Sequence, residues 1–360
     1  MSPIRVLCVD DSALMRKMIP QILSSDPEIE VVGTAMDGLF ALKKIAEVKP
    51  DVITLDIDMP RMDGIETLRR IVAEFGTPVI MVSSLALRDA EMTFKALEIG
   101  AFDYVTKPQA AISVHITEIG GDLVAKIKAA AANPLARLRM SRFRPAPPLP
   151  GKTAQPARKG ADRVLAIGIS TGGPNALSYL LPQLPAEFPA AILIVQHMPA
   201  GFTEMFASRL NASCGIEVKE AHEGDLVLPG RALIAPGNRH LKVKRLPLGS
   251  IAVLSDAPPV SGHRPSADVL FRSVAVEYGP RSTGLIMTGM GADGAEGIGD
   301  IKKQGGATIA EAEESCVVFG MPKVAIEKNH IDKVVPLNEL ASFLAARFDV
   351  QPIKEVTHGS

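Results

Sequence analysis

The sequence predicts an α/β protein made of two successive open sheets. Three observations carry that expectation. The 360 residues exceed what one hydrophobic core normally serves. Two long stretches, 4–109 and 163–348, alternate continuous Val/Ile/Leu runs with helical periodicity, the pattern of parallel strands buried on both faces and flanked by helices. Between them, residues 133–161 are rich in proline, arginine and lysine and hold no long apolar run, which reads as a solvated linker.

In the first half, "IRVLCVD" is the opening strand, and helical periodicity follows in "SALMRKMIPQILSS", where Pro20 is expected to bend the chain. "IEVVGTA", "DVITLDI", "PVIMVSS" and "DYVTKP" supply four more strands, and a helix over roughly 118–132 closes the unit. The second half begins with "RVLAIGIS", a helical stretch, "AAILIVQH" and a helix through "TEMFASRL". A Gly/Pro-rich region with the β-like pieces "RALIAPG", "HLKVKRL" and "SIAVLSD" reads as a β-rich insertion. The helix "SADVLFRSVAVEYG", the strand "STGLIMTG", another helix, the strand "GATIAE" and a helix near 337–348 complete a doubly wound, mainly parallel domain. The expected boundaries are 1–132, a linker at 133–161, 162–349 and a tail at 350–360.

The totals exclude several classes. With 39 basic and 40 acidic side chains the net charge is −1, so no global positive field recruits nucleic acid. No segment approaches a membrane span, and the first residues lack the basic flank and apolar stretch of a secretory signal. Cys8, Cys214 and Cys316 are odd in number and far apart, which fits reduced cytosolic thiols better than a disulfide framework or a zinc motif.

Polar residues gather at the expected strand ends, where open parallel sheets bind ligands. Asp10 and Asp11 end the first strand, Asp56 and then Asp58 the third, Ser83 and Ser84 the fourth, and Lys107 the fifth. Singly, Asp11, Ser12 or Ser83 reads as a helix cap and Lys107 as a surface lysine. Together, three acids on one edge call for a cation, and oxygen ligands suit Mg²⁺. A lysine and a hydroxyl beside them suit a phosphoryl group, with Asp56 able to form an acyl phosphate. "VDDS", "DIDMPRMDG", "VSS" and "DYVTKP" resemble the receiver domain of two-component response regulators, a five-stranded parallel, flavodoxin-like fold, over about residues 3–125. The resemblance implies phosphorylation of Asp56 by a histidine kinase. It implies Mg²⁺ on Asp10, Asp11, Asp56 and the Asp58 carbonyl, phosphoryl contacts from Ser83 and Lys107, a cis Lys107–Pro108 bond, and an aromatic switch at Tyr104.

In the second half, "GISTGGP" fails as a phosphate cradle. Ser170 occupies the middle position of the glycine fingerprint, the final spacing is wrong, no acid ends the next strand, and no P-loop lysine follows. Gly168–Gly172 instead matches G-x-S-x-G, in which small neighbours let a serine turn sharply out of a strand. A serine needs a base, and His197 alone among the seven histidines directly ends a buried strand. Asp293, amid glycines after "GLIMTG", stands at a third strand end; by itself it reads equally as a turn residue. The chain order Ser, His, Asp is not that of α/β-hydrolases.

"GISTGGP", "QHMPAGFTEMFASRL", "IAPGNRHL", "HRPSADVLF", "TGMGADGAEG" and "MPKVAI" resemble the catalytic domain of bacterial chemotaxis methylesterases of the CheB family, over roughly 162–348. The resemblance implies Ser170 as nucleophile, His197 as base, Asp293 as its orienter, the Met290 amide as oxyanion donor and Thr171 in support. It implies a cytoplasmic hydrolase acting without a cofactor on glutamate methyl esters of chemoreceptors, in some members also on receptor glutamines. A phosphorylation module ahead of a hydrolase further implies gating, with the unphosphorylated receiver covering the Ser170 edge.

Overall fold

The computed structural model describes residues 2–84, 87–107, 113–133 and 160–350. The chain divides into two compact units, Met1–Ser141 and Arg142–Ser360.

In the first unit, β1 (Ile4–Val9), β2 (Ile29–Ala35), β3 (Val52–Asp56), β4 (Val79–Ser83) and β5 (Asp103–Thr106) form one parallel sheet in the order β2-β1-β3-β4-β5. This is the flavodoxin-like order, with its switch point beside β1 and β3. Both β3 and β4 are buried throughout, as their unbroken apolar runs require. The helices are α1 (Met15–Leu23), α2 (Gly38–Val48), α3 (Gly64–Glu74), α4 (Leu87–Ile99) and α5 (Ser113–Ala132). Pro20 lies inside α1, and α5 starts five residues earlier than the sequence pattern indicates. Asp37 and Asp63 cap α2 and α3 by accepting the Phe40 and Glu66 amides.

The second unit holds a seven-stranded sheet in the order β15-β14-β13-β6-β7-β10-β8, parallel in every pair. Its strands are β6 (Val164–Ile169), β7 (Ala191–Gln196), β8 (Glu217–Glu220), β10 (Arg231–Ile234), β13 (Ser282–Ile286), β14 (Ala307–Glu311) and β15 (Lys333–Val335). A separate antiparallel sheet joins β9 (Leu226–Val227), β11 (His240–Leu246) and β12 (Gly249–Ser255). The β-rich insertion is therefore smaller than the sequence implies. "RALIAPG" supplies β10, a member of the main sheet, because its Ala-Leu-Ile run is buried like any central strand. The helices are α6 (Gly173–Leu180), α7 (Phe202–Ser213), α8 (Ala267–Tyr278), α9 (Ala295–Lys303), α10 (Met321–Glu327) and α11 (Leu337–Arg347). The strand order reverses at β6, which lies between β7 and β13. That switch point opens a crevice at the carboxyl ends of these three strands.

Cys8, Cys214 and Cys316 are all buried thiols outside any disulfide. No described helix is long and apolar enough to cross a membrane.

Candidate active site and phospho-acceptor site

The three residues expected to form a triad leave the sheet at the switch point. In the register of β6 and β7, Ile169 lies opposite Gln196, so Ser170 and His197 are the next residues on adjacent strands. Such backbones run about 4.8 Å apart. The Gln196 amide donates to the carbonyls of both Ser170 and His197, each at 3.1 Å. The Ser170 N–H donates to Thr288 O at 3.0 Å, which pins the serine to the end of β13 as well. Gly172 takes a left-handed φ of 81° in the turn into α6, a conformation a side chain would resist. Gly289 passes so close that a methyl there would lie 2.8 Å from Ser170 Cβ.

Asp293 is buried, and its carboxylate sits on the N-terminus of α8. Ala267 N–H donates to Oδ2 at 2.6 Å, while Ser266 Oγ at 2.6 Å and Asp268 N–H at 3.3 Å donate to Oδ1. Ser266 is the N-cap of α8, yet its hydroxyl serves Asp293 and not its own helix. His197 Nε2 donates to Asp293 Oδ2 at 2.8 Å. Burial alone would raise the Asp293 pKa, but the bonds from His197, Ser266 and Ala267 outweigh it and hold the group below the ordinary carboxylate value. The helix dipole works in the same direction.

With Nε2 committed to the carboxylate, Nδ1 is the nitrogen left to act as a base. It is buried and has no hydrogen-bond partner among the described residues, so the bond to Ser170 Oγ is the one expected contact that is not formed. Such bonds are often long in ligand-free enzymes and tighten around substrate. Thr171 is buried, and its carbonyl accepts from Thr288 Oγ1 at 2.9 Å. The Met290 N–H, two residues past Thr288, makes no hydrogen bond among the described residues.

Several neighbours escape sequence reasoning. His263, one of the histidines that ends no expected strand, stacks on His197 with ring centroids 3.9 Å apart and planes 11° from parallel. Gln196, Thr288 and Ser266 hold the backbone or the carboxylate. Ser266 alone carried a local signal, a serine immediately before a helical run.

The first unit builds its site at the matching edge. Asp10 follows β1, Asp56 ends β3, and Lys107 follows β5. Lys107 Nζ lies 2.8 Å from Asp56 Oδ2 and 3.3 Å from Asp10 Oδ2. Ligand oxygens of Asp10, Asp11 and Asp56 fall within 4.8 Å of one another, with Asp10 and Asp56 buried. Burial first, and then the Asp10 charge, push Asp56 up to about 6 against the Lys107 bond. Burial raises Asp10 too, with Lys107 opposing. For Lys107, burial would lower the pKa, but the two carboxylates outweigh it and raise it. A hard divalent cation would relieve this crowding, so the donor set fits Mg²⁺.

Asp58 is exposed two residues beyond Asp56. Ser83 Oγ is buried and accepts from Thr93 Oγ1 at 2.9 Å. Tyr104 is buried, with the Lys126 ammonium 5.4 Å over its ring. Pro108, and with it the expected cis Lys107–Pro108 bond, lies outside the described residues.

Comparison with known proteins agrees with this division. The family model for the CheB methylesterase matches residues 165–344, and that for the response regulator receiver domain matches residues 6–116. The chain is 56% identical to a protein-glutamate methylesterase/protein-glutamine glutaminase of Koribacter versatilis, over 98% of each chain. It is 46% identical to the protein of that name from Pyrococcus abyssi, over 94% of this chain and 91% of the relative. The crystal structure of the Thermotoga maritima CheB methylesterase catalytic domain aligns with a TM-score of 0.51 at 41% identity, covering 51% of this chain and 98% of that one. The chain belongs to the CheB methylesterase family, with a response regulator receiver domain ahead of its catalytic domain.

Proposed function

We propose that this protein is a phosphorylation-activated hydrolase that converts glutamate methyl esters of chemoreceptors to glutamate and methanol, and receptor glutamines to glutamate and ammonia. Its working divisions are a receiver at 1–132, a linker at 133–161, a catalytic domain at 162–349 and a tail at 350–360. The observation that carries the reading is the His197–Asp293 bond at 2.8 Å, beside a serine clamped at the neighbouring strand end.

Ser170 Oγ attacks the ester carbonyl while His197 Nδ1 takes its proton. Asp293 fixes the Nε2–H tautomer and offsets the imidazolium charge. The oxyanion forms toward the Met290 amide, a donor fixed before the reaction. His197 then gives its proton to the leaving methanol. Water attacks the acyl enzyme by the same route in reverse, which frees the glutamate side chain and restores Ser170. For a glutamine substrate the leaving group is ammonia. Thr171 supports the turn through its carbonyl bond to Thr288.

In the receiver, Asp56 is the phosphoryl acceptor from a histidine kinase. Asp10, Asp11, Asp56 and the Asp58 carbonyl are the residues that would hold Mg²⁺, which when bound neutralises charge on the transferring phosphoryl group. Lys107 and Ser83 bind the phosphoryl oxygens, and Tyr104 reports the change to the rest of the domain. Substrates of this class place the protein in the cytoplasm.

The test is methanol release from methylated receptor, with and without a small phosphodonor. Ser170→Ala abolishes release in both conditions, a loss on the order of 10⁶. Asp56→Asn keeps basal release and loses only the response to phosphodonor. Release by Ser170→Ala at the wild-type rate would overturn the triad assignment.

A further inference from the structure

Glu311 ends β14, on the same sheet edge as the triad, and is completely buried. No lysine, arginine or histidine pairs with it among the described residues, and no step above uses it. Its Oε2 accepts the Thr288 N–H at 2.9 Å. Thr288 in turn spans the active-site edge. Its carbonyl takes the Ser170 N–H, and its hydroxyl bonds Thr171 O and accepts the Val317 and Val318 amides. One side chain thus anchors the residue against which the nucleophile and its turn are held.

Its other oxygen meets a serine hydroxyl. Ser315 Oγ lies 2.9 Å from Glu311 Oε1, 3.1 Å from Ala312 O and 3.0 Å from the Leu337 N–H. A hydroxyl has one proton and two lone pairs. Leu337 N–H takes one lone pair, and the proton goes to Glu311 Oε1, the nearer acceptor, because Ala312 O already accepts the Ser315 and Cys316 amides. Ionised, Glu311 would be a fully buried charge without a counter-ion among the described residues, a state proteins avoid by taking up the proton.

We infer that Glu311 is a positioning residue of the hydrolase: as a neutral acid it ties the end of β14 to Thr288, and through Thr288 it holds the backbone to which Ser170 is pinned. This rests on the triad reading above. Burial, opposed by the bonds from Thr288, Ser315 and Cys316, pushes Glu311 up to about 7. Among the described residues no charged side chain acts on it from β13, β15, α9 or α10, and the titratable group beside it is the Cys316 thiol, which bonds its side chain and lies 3.9 Å from its backbone carbonyl. For a raised carboxyl, the stabilisation is full below the ordinary glutamate value and is lost as pH climbs through about 7.

The experiment compares the full chain with Glu311→Gln and Glu311→Ala, by methanol release from methylated receptor and by thermal unfolding of the catalytic domain from about pH 5 to about pH 9. A glutamine reproduces one donor and one acceptor at every pH. It is expected to keep kcat within about threefold of wild type near neutrality, while alanine lowers kcat by about tenfold or more with little change in KM. The melting midpoint of wild type should fall relative to Glu311→Gln as pH passes about 7. Alanine within about twofold of wild type, glutamine as poor as alanine, or a wild-type-to-glutamine difference constant with pH would each overturn the inference. If Glu311→Ala does not fold, the glutamine arms decide. A Ser170→Ala control that still releases methanol sinks the triad and leaves the unfolding arms to judge Glu311.

Discussion

Asp56 and Asp293 are both buried carboxylates at the carboxyl edge of a parallel sheet, and their proton affinities move in opposite directions. Burial pushes Asp56 up to about 6, whereas Asp293 is held below its ordinary value although burial acts on it too. The difference lies in what faces them. Asp56 shares Lys107 with the like-charged Asp10 and accepts one backbone amide, from Ile57. Asp293 accepts from two amides at a helix N-terminus, a serine hydroxyl and an imidazole. The first carboxylate awaits a cation and a phosphoryl group. The second has its charge fully solvated by the protein and can stay ionised through turnover. Depth in the structure is common to both; the donor set separates a reactive carboxylate from an orienting one.

The largest effect that tests this contrast is Asp293→Asn. The amide preserves shape but cannot balance an imidazolium or enforce the Nε2–H tautomer, so kcat should fall by about 10⁴. Asp56→Asn in the other unit should leave basal turnover intact. A basal loss of similar size from both substitutions would mean that the two edges do not have separate roles.

Next comes the response to Mg²⁺. Because the Asp56 pKa is raised, its neutral form stabilises the fold at acid pH, and that contribution disappears as pH rises through about 6. Bound cation should restore it, by about 2.7 kcal/mol at a concentration 100 times Kd. The Mg²⁺-induced increase in the receiver melting midpoint should therefore grow between about pH 5 and about pH 8. Asp56→Asn should flatten this dependence. A pH-independent Mg²⁺ effect would place the ion away from these carboxylates.

Ser266→Ala probes the other donor set. Removing a hydroxyl bond to a buried carboxylate costs about 1.5–3 kcal/mol. Here the sign reverses. A depressed carboxyl stabilises the fold above its ordinary pKa and loses that contribution as pH falls through the folded value. The gap between wild type and Ser266→Ala should be widest near neutrality and close in acid, as calorimetry across pH would register. A gap that widened in acid would contradict the direction assigned to Asp293.

The same contrast explains what was legible in the sequence. Asp10, Asp56, Ser170 and His197 sit directly at the ends of continuous apolar runs, so period and strand order located them. Asp293 stands seven residues beyond β13, and its helix-end solvation depends on α8, some 25 residues earlier in the chain. No local pattern announces such a contact. β10 was misassigned to the insertion because the glycines and prolines around it mask a four-residue strand. β15 was missed because it is three residues long and exposed at Lys333 and Val334. Glu311 and His263 matter through neighbours that only the folded chain brings together.

The smallest expected effect concerns that last ring and sharpens the comparison from the base's side. In the receiver, the group beside the reactive carboxylate is a lysine, held by hydrogen-bonded ion pairs to Asp56 and Asp10. In the hydrolase, His197 is held by a carboxylate at one edge and by the face of His263, which is itself fixed by a 2.7 Å bond from Nδ1 to Ser261 O. An aromatic stack of this kind contributes about 0.5–1.5 kcal/mol. If it acts only by limiting the tilt of His197, His263→Ala should lower kcat by roughly twofold to tenfold, and His263→Phe, which keeps a flat ring, should recover most of that. A loss of several hundredfold, or no recovery with phenylalanine, would show that His263 handles a proton. The orienting role would then belong to a histidine pair and not to Asp293 alone.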